Sequence, residues 1–253
     1  MKKADKRRLL FIVSIGFILF LAGCVDTNVT NIPTTIDYRS EVNVVNLVAG
    51  MGSANVTMKE ASGATLAAGE TISYGDIAFG DESPSNAFKD VPAGIKTVYI
   101  SYSSSSSKDT IVSVNTNTNF KMRLFLIGDN NTSRTITKMA QRYISSTKED
   151  TILFPKNIAQ VAFMNGSPDD TVSYVGMVSG TDTSQVDLSA SPLTMGTLSN
   201  YEQVAPKQYT FYVVSQSGQV AKQSGVTLSS QGRYTAIIYD YSSNLKIKIL
   251  TDD

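Results

Sequence analysis

The chain contains no histidine and no tryptophan in 253 residues, and only one cysteine. Without histidine, Ser-His-Asp and Cys-His nucleophilic arrangements and imidazole metal sites are excluded. A single thiol leaves no disulfide within the chain, so the fold must be stabilised by its core alone. Charge is balanced at 22 basic and 22 acidic residues, and beyond the first eight residues no basic cluster of the kind a nucleic-acid partner needs is present. Gly-rich phosphate loops are absent as well. Long apolar runs are scarce. The one that stands out, Leu9 to Ala22, is fourteen residues long, short of the roughly 20 that a helix needs to cross the hydrocarbon.

That run follows Lys2, Lys3, Lys6, Arg7 and Arg8 and leads into Leu21-Ala22-Gly23-Cys24. A basic head, a short apolar middle and small residues at the end suit a cleaved signal better than a permanent span. Ending on a lone thiol, the segment resembles a bacterial lipoprotein signal. The resemblance implies that the Cys24 thiol is alkylated by a diacylglycerol and that a peptidase cuts before it, with Leu21, Ala22 and Gly23 as the recognised residues. Residues 1–23 are then lost, and two or more acyl chains hold Cys24 to the membrane at about 0.8 kcal/mol per buried CH₂. The expected address is the bacterial cell envelope, at the outer membrane. Loss of the leader removes five of the 22 basic residues and one of the 22 acids, leaving 17 against 21, a net charge of −4.

From Val25 to Ser40 the sequence is rich in Thr and Asn, contains Pro33 and has no apolar periodicity. It reads as a flexible tether over residues 24–40, with a reach on the order of 20–25 Å. Beyond it, short segments rich in Val, Ile, Tyr, Phe and Thr alternate apolar with polar. Examples are Val42 to Val45, Lys96 to Tyr102, Phe120 to Leu126, Gln208 to Val213 and Leu245 to Ile249. Period two at this length predicts half-buried strands. Turn chemistry separates them at Ala49-Gly50-Met51-Gly52, Pro92-Ala93-Gly94, Asn165-Gly166-Ser167-Pro168 and Ser217-Gly218. Only Ile136 to Tyr143 offers a turn or two of helix. The expected class is all-β, with sheets packed face to face.

The pattern also repeats. Thr97-Val98-Tyr99 returns as Thr210-Phe211-Tyr212, and Asn119-Phe120-Lys121-Met122 returns in outline as Gln231-Gly232-Arg233-Tyr234. Tyr99 to Tyr212 and Lys121 to Tyr234 are each spaced by 113, and Val44-Val45-Asn46 precedes Phe163-Met164-Asn165 by 119. Spacings of this size predict a duplicated domain rather than a solenoid, whose repeats run about 20–50 residues. Two tandem β-sandwich domains are expected, at 41–147 and 155–253, joined near Ser146 to Asn157.

The modules resemble the domain-of-unknown-function family numbered forty-three ninety-seven. The residues that carry the likeness are Ser167-Pro168-Asp169-Asp170-Thr171-Val172, then Tyr201 with Val204, and Gly232-Arg233-Tyr234-Thr235 in the second module. In the first they are Ala78-Phe79-Gly80 and Val91-Pro92-Ala93-Gly94. Ser-Pro-Asp is missing from the first module, where Val48-Ala49-Gly50-Met51 stands instead. The resemblance implies immunoglobulin-like or transthyretin-like sandwiches, often on secreted or surface lipoproteins, and carries no catalytic residues.

Little chemistry is legible. Asp169, Asp170 and Asp182 are the candidate carboxylates, but acids in a Ser-Pro-Asp-Asp turn ordinarily accept backbone N–H bonds, and no calcium-loop spacing is present. No catalytic residue, metal or cofactor is assigned. Nine tyrosines, Tyr99, Tyr102, Tyr174, Tyr201, Tyr209, Tyr212, Tyr234, Tyr239 and Tyr241, read first as strand residues with buried rings. They also leave room for stacking against sugars. Ser103 to Ser107 reads as a mobile hairpin tip. The loop Ser167, Pro168, Asp169, Asp170 is the candidate surface loop. The expected function is a non-catalytic structural or adhesive surface module, with glycan binding beside polysaccharide uptake as the alternative. Its expected partners are the membrane, through lipid, and a protein or glycan at the surface.

Overall fold

The computed structural model describes residues 39–61, 71–105, 108–118, 120–131, 134–142, 157–180, 182–187 and 192–252. The signal, Cys24, nearly all of the tether and most of the expected joint lie outside these residues. The described chain is all-β. Its first half forms β1 (Arg39–Ala49), β2 (Ala54–Glu60), β3 (Ile72–Ile77), β4 (Glu82–Ser83), β5 (Lys89–Pro92), β6 (Gly94–Tyr102), β7 (Lys108–Thr116), β8 (Phe120–Asp129) and β9 (Thr135–Arg142). Its second half forms β10 (Ala159–Asn165), β11 (Val172–Ser179), β12 (Asp182–Asp187), β13 (Glu202–Val204), β14 (Gln208–Ser215), β15 (Val220–Thr227), β16 (Arg233–Tyr239) and β17 (Lys246–Thr251). One turn of 3-10 helix, Ser242–Asn244, links the last two strands.

The strand order of the first half recurs in the second. In the first half one sheet runs β4-β1-β8-β9, with β5 also on β1, and the other runs β3-β2-β6-β7. The second half repeats these orders as β13-β10-β16-β17 and β12-β11-β14-β15. In each half the opening strand lies parallel to a late one, β1 on β8 and β10 on β16, while the other pairings are antiparallel. Thr57 faces Tyr99 as Gly176 faces Tyr212, so the spacings of 119 and 113 hold in three dimensions. The last pair slips by one residue. Val42 aligns with Met122 and Val161 with Tyr234, which makes Met122 and Tyr234, 112 apart, the core-facing equivalents. A period-two strand flips its faces on a slip of one.

Residues 38–253 cluster as one compact unit built in four layers. Val42, Val44, Met122, Leu124 and Leu126 of the β1/β8 sheet pack on Val56, Met58, Val98 and Ile100 of the β2/β6 sheet, forming one core. Phe163, Ala236 and Ile238 pack on Met177, Phe211 and Val213 to form another. A third core joins the inner sheets. Val45, Leu47, Phe125, Ile127 and Met139 meet Met164, Ile237 and Leu250 there. Each fully buried side chain of this size contributes about 1.5–3 kcal/mol. The inner strands are therefore buried on both faces rather than half-buried, as the run of buried residues along β8 shows. Polar alternation misleads here because residues such as Arg123 turn toward a second protein layer instead of toward water.

A second departure is β9. Residues 136–142 form a strand, not helical turns. Pairing with β8 and burial of Met139 at the third core outweigh the helix preference of Lys138-Met139-Ala140-Gln141-Arg142.

Candidate functional site

The candidate loop Ser167–Asp170 connects β10 to β11, and its side chains are occupied with the fold. Buried Asn165 organises the loop. Its carboxamide oxygen accepts the Ser167 N–H at 2.9 Å, and its Nδ2 donates to Asp170 O (3.1 Å) and Leu193 O (2.7 Å). Asn46 makes the equivalent set in the first half, accepting from Val48 N–H and donating to Gly52 O and Ile77 O. Ser167 is buried and donates from Oγ to Asp169. Asp169 is exposed and accepts from the N–H (2.8 Å) and hydroxyl (3.0 Å) of Ser242. Asp170 accepts from Thr171 N–H and the Ser217 hydroxyl. Burial, the largest single influence on it, pushes the Asp170 carboxyl up. Hydrogen bonds from Ser217, Ser215 and the Thr171 N–H outweigh that and hold it below the ordinary carboxylate value. Asp169 and Asp170 thus tie three loops together, as capping acids do. Asp182 opens β12 opposite Ser179, at the far end of β11 from them. Among the described residues no group of three acidic or thiol side chains is arranged to hold a metal.

The charged centre of the molecule lies elsewhere, between the inner sheets. Arg123 of β8 is fully buried. Its Nη1 donates to the Asp252 carboxylate and its Nη2 to Thr251 O (3.0 Å) and Glu82 (3.2 Å), while Nε donates to Asn43 (3.1 Å). Asp252 also accepts from Tyr201 (2.8 Å) and Thr235 (2.6 Å). Burial, then the Asp252 charge, pushes the Tyr201 hydroxyl well above its ordinary value. One guanidinium therefore links β1, β4 and β8 of the first half to the chain end after β17. The sequence reading passed over it. The available signal was an arginine inside Met122-Arg123-Leu124-Phe125-Leu126, because a charge in a strand buried on both faces must be paired.

Two glycine turns complete the contact in reciprocal fashion. The Gly80 N–H donates to Asn46 O and the Gly196 N–H to Asn165 O, each at 2.7 Å. Phe79 beside the first packs edge-on against Tyr239 of the second half, centroids 5.4 Å apart, and Lys248 donates to Gly80 O. The second turn answers by accepting from Thr137 of the first half at Gly196 O, 3.2 Å.

The tyrosines divide. Tyr102, Tyr209 and Tyr234 are buried, as the strand reading expects. Tyr241 sits near Gly50, and burial with the charges of Asp129, Asp169 and Asp240 raises its hydroxyl. Tyr174 and Tyr212 are half-exposed neighbours with ring centroids 5.8 Å apart and planes inclined by 31°. Between them is Gly176, where a Cβ would approach both rings to 2.8–2.9 Å. Of the serine run, Ser103 and Ser104 are pinned to the β1–β2 loop through Ser53 N–H and Met51 O. Cys24 and the recognition residues Leu21, Ala22 and Gly23 lie outside the described residues.

No family model matches the sequence, and no curated protein matches it. Among solved structures the chain is similar to the tip fimbrial protein Mfa3 from Porphyromonas gingivalis with C-terminal truncation, at 9% identity and a TM-score of 0.29, covering 86% of this chain and 100% of that one. It is similar at the same identity and TM-score to a candidate cell adhesion protein from Bacteroides uniformis ATCC 8492, covering 87% of this chain and 99% of that one. A further candidate adhesion protein, from Bacteroides fragilis NCTC 9343, aligns at 8% identity and a TM-score of 0.27, over 85% and 98% of the two chains.

Proposed function

We propose that the chain is a lipid-anchored protein of the bacterial cell envelope, held at the outer membrane by Cys24, whose stacked sheets serve as a non-catalytic structural or adhesive surface module. The observation that carries this reading is the order of the first 24 residues, a basic head, a short apolar middle and Leu21-Ala22-Gly23-Cys24. The architecture supports it. Four layers clamped through Arg123 make a stiff body suited to presenting loops at its ends, and rigid scaffolds with functional loops are the general pattern of recognition modules. The test is the fate of Cys24. Mass spectrometry of the native protein is expected to show a polypeptide beginning at an acylated Cys24, and Cys24→Ala is expected to leave the membrane fraction. An unmodified thiol with residues 1–23 still attached would overturn the reading. A second reading, capture of a glycan, is favoured by one specific observation, the Tyr174–Tyr212 pair over Gly176.

A further inference from the structure

The outer sheets of the two halves have the same topology but differ in the chemistry of their exposed faces. Along β2 and β6, the residues turned away from the core are Asn55, Thr57, Ile95, Thr97, Tyr99 and Ser101. Asn55 donates to Asp76, and the ammonium of Lys59 covers the Tyr99 ring at 5.6 Å. At the positions matching Asn55, Thr57, Tyr99 and Ser101, β11 and β14 carry Tyr174, Gly176, Tyr212 and Val214, with Val220 and Lys222 of β15 beside them. Asparagine, threonine and serine thus give way to a second tyrosine, a glycine and a valine. Val220 is 54% exposed, and the other large hydrophobic so exposed among the described residues, Ile95, lies on the outer sheet of the first half.

The glycine explains the posture of the rings. A Cβ on residue 176 would lie 2.8 Å from the Tyr212 ring carbon and from the Tyr174 hydroxyl, so both rings lie down over a backbone that only glycine leaves bare. Packing alone does not demand this, since Thr57 occupies the equivalent place in the first half without difficulty. The register puts Lys222 beside Tyr212 at one end of the Gly176–Tyr212 row.

We infer that the outer face of the β11/β14/β15 sheet is a carbohydrate-binding platform, on which a pyranose ring stacks against Tyr174 and Tyr212. The inference rests on the glycan reading above and names its site. An aromatic face carries negative charge and attracts the weakly positive C–H face of a sugar ring. The hydroxyl rim of the sugar then meets the exposed Lys222 ammonium, which donates.

The full-length protein in a sugar-free detergent is titrated calorimetrically with neutral hexaoses of glucose, mannose, galactose and xylose. At least one is expected to bind with Kd in the micromolar-to-millimolar range. Tyr174→Ala/Tyr212→Ala is expected to weaken it about tenfold or more, each ring contributing a factor of roughly 2 to 10. Tyr212→Phe, which keeps the ring face, is expected to retain most of the affinity, and Tyr99→Ala all of it. Binding that survives the double alanine change overturns the platform while leaving the glycan reading standing. No binding by any hexaose overturns both. Should the double variant not fold, the ring protons of Tyr174 and Tyr212 in the unaltered protein decide: shifts on titration support the site, and their absence rejects it.

Discussion

Arg123 is the residue on which the most depends. A guanidinium withdrawn from water is tolerable only when its donors are matched, and Asp252, Glu82, Asn43 and Thr251 O match them. Removing one partner strands the other. Asp252→Ala leaves the buried cation with a weaker set of acceptors and also leaves Tyr201 and Thr235 only the weak Met139 sulfur to donate to. A loss of about 3–5 kcal/mol is expected, measured by urea unfolding of the variant against the parent protein. An exposed pair such as Arg39–Asp90 is expected to cost less than about 1 kcal/mol on the same measurement. The lesson for reading sequences is local: Arg123 stands in an alternating strand at a position that looks solvent-facing, out of phase with the core residues Met122, Leu124 and Leu126. Alternation distinguishes one face from the other, but not whether the second face meets water or another sheet.

At the scale of elements, the two glycine turns bind the halves to each other. Gly80 and Gly196 both have φ near +80°, a left-handed conformation that costs other residues about 1–2 kcal/mol. A Cβ at 196 would also press on Ile127 and Thr137 at 2.9 Å. Gly218 has a φ of +83° but open space around it. The pair separates strain from contact: Gly196→Ala is expected to destabilise by about 1–3 kcal/mol more than Gly218→Ala, as read by thermal unfolding. Strands, turns and the repeat were legible because each is written in neighbouring residues, Ala78-Phe79-Gly80 and Val91-Pro92-Ala93-Gly94 among them. The contact partners of those turns were not, since Gly80 meets Tyr239 and Lys248 across more than 150 residues of chain. In the candidate loop Ser167–Asp170 the acids accept N–H and hydroxyl donors, and Asn165, which holds the loop, is visible in the sequence only as part of the repeated Asn46/Asn165 pair. Tyr174 and Tyr212 were two of nine tyrosines until the register placed them side by side on Gly176.

For the whole molecule, the third core and the Arg123 cluster make the halves thermodynamic partners. The full chain is expected to unfold in a single calorimetric transition, with calorimetric and van't Hoff enthalpies equal. Arg123→Met, which loosens the junction and leaves two acids stranded, is expected to split the transition in two; two separate transitions in the parent protein would mean that the halves are independent. The parallel pairings bear on how such a body comes into being. Glu41 of β1 finds its neighbour in Lys121, and Gln160 of β10 finds Arg233, so the opening strand of each half waits some seventy to eighty residues for the partner that centres its sheet. Closing loops of that length costs entropy before any reward arrives, which places folding in the millisecond-to-second range typical of sandwich topologies. A polypeptide so slow to assemble keeps its strand edges unpaired for as long, and in that interval is exposed to misassembly with its neighbours.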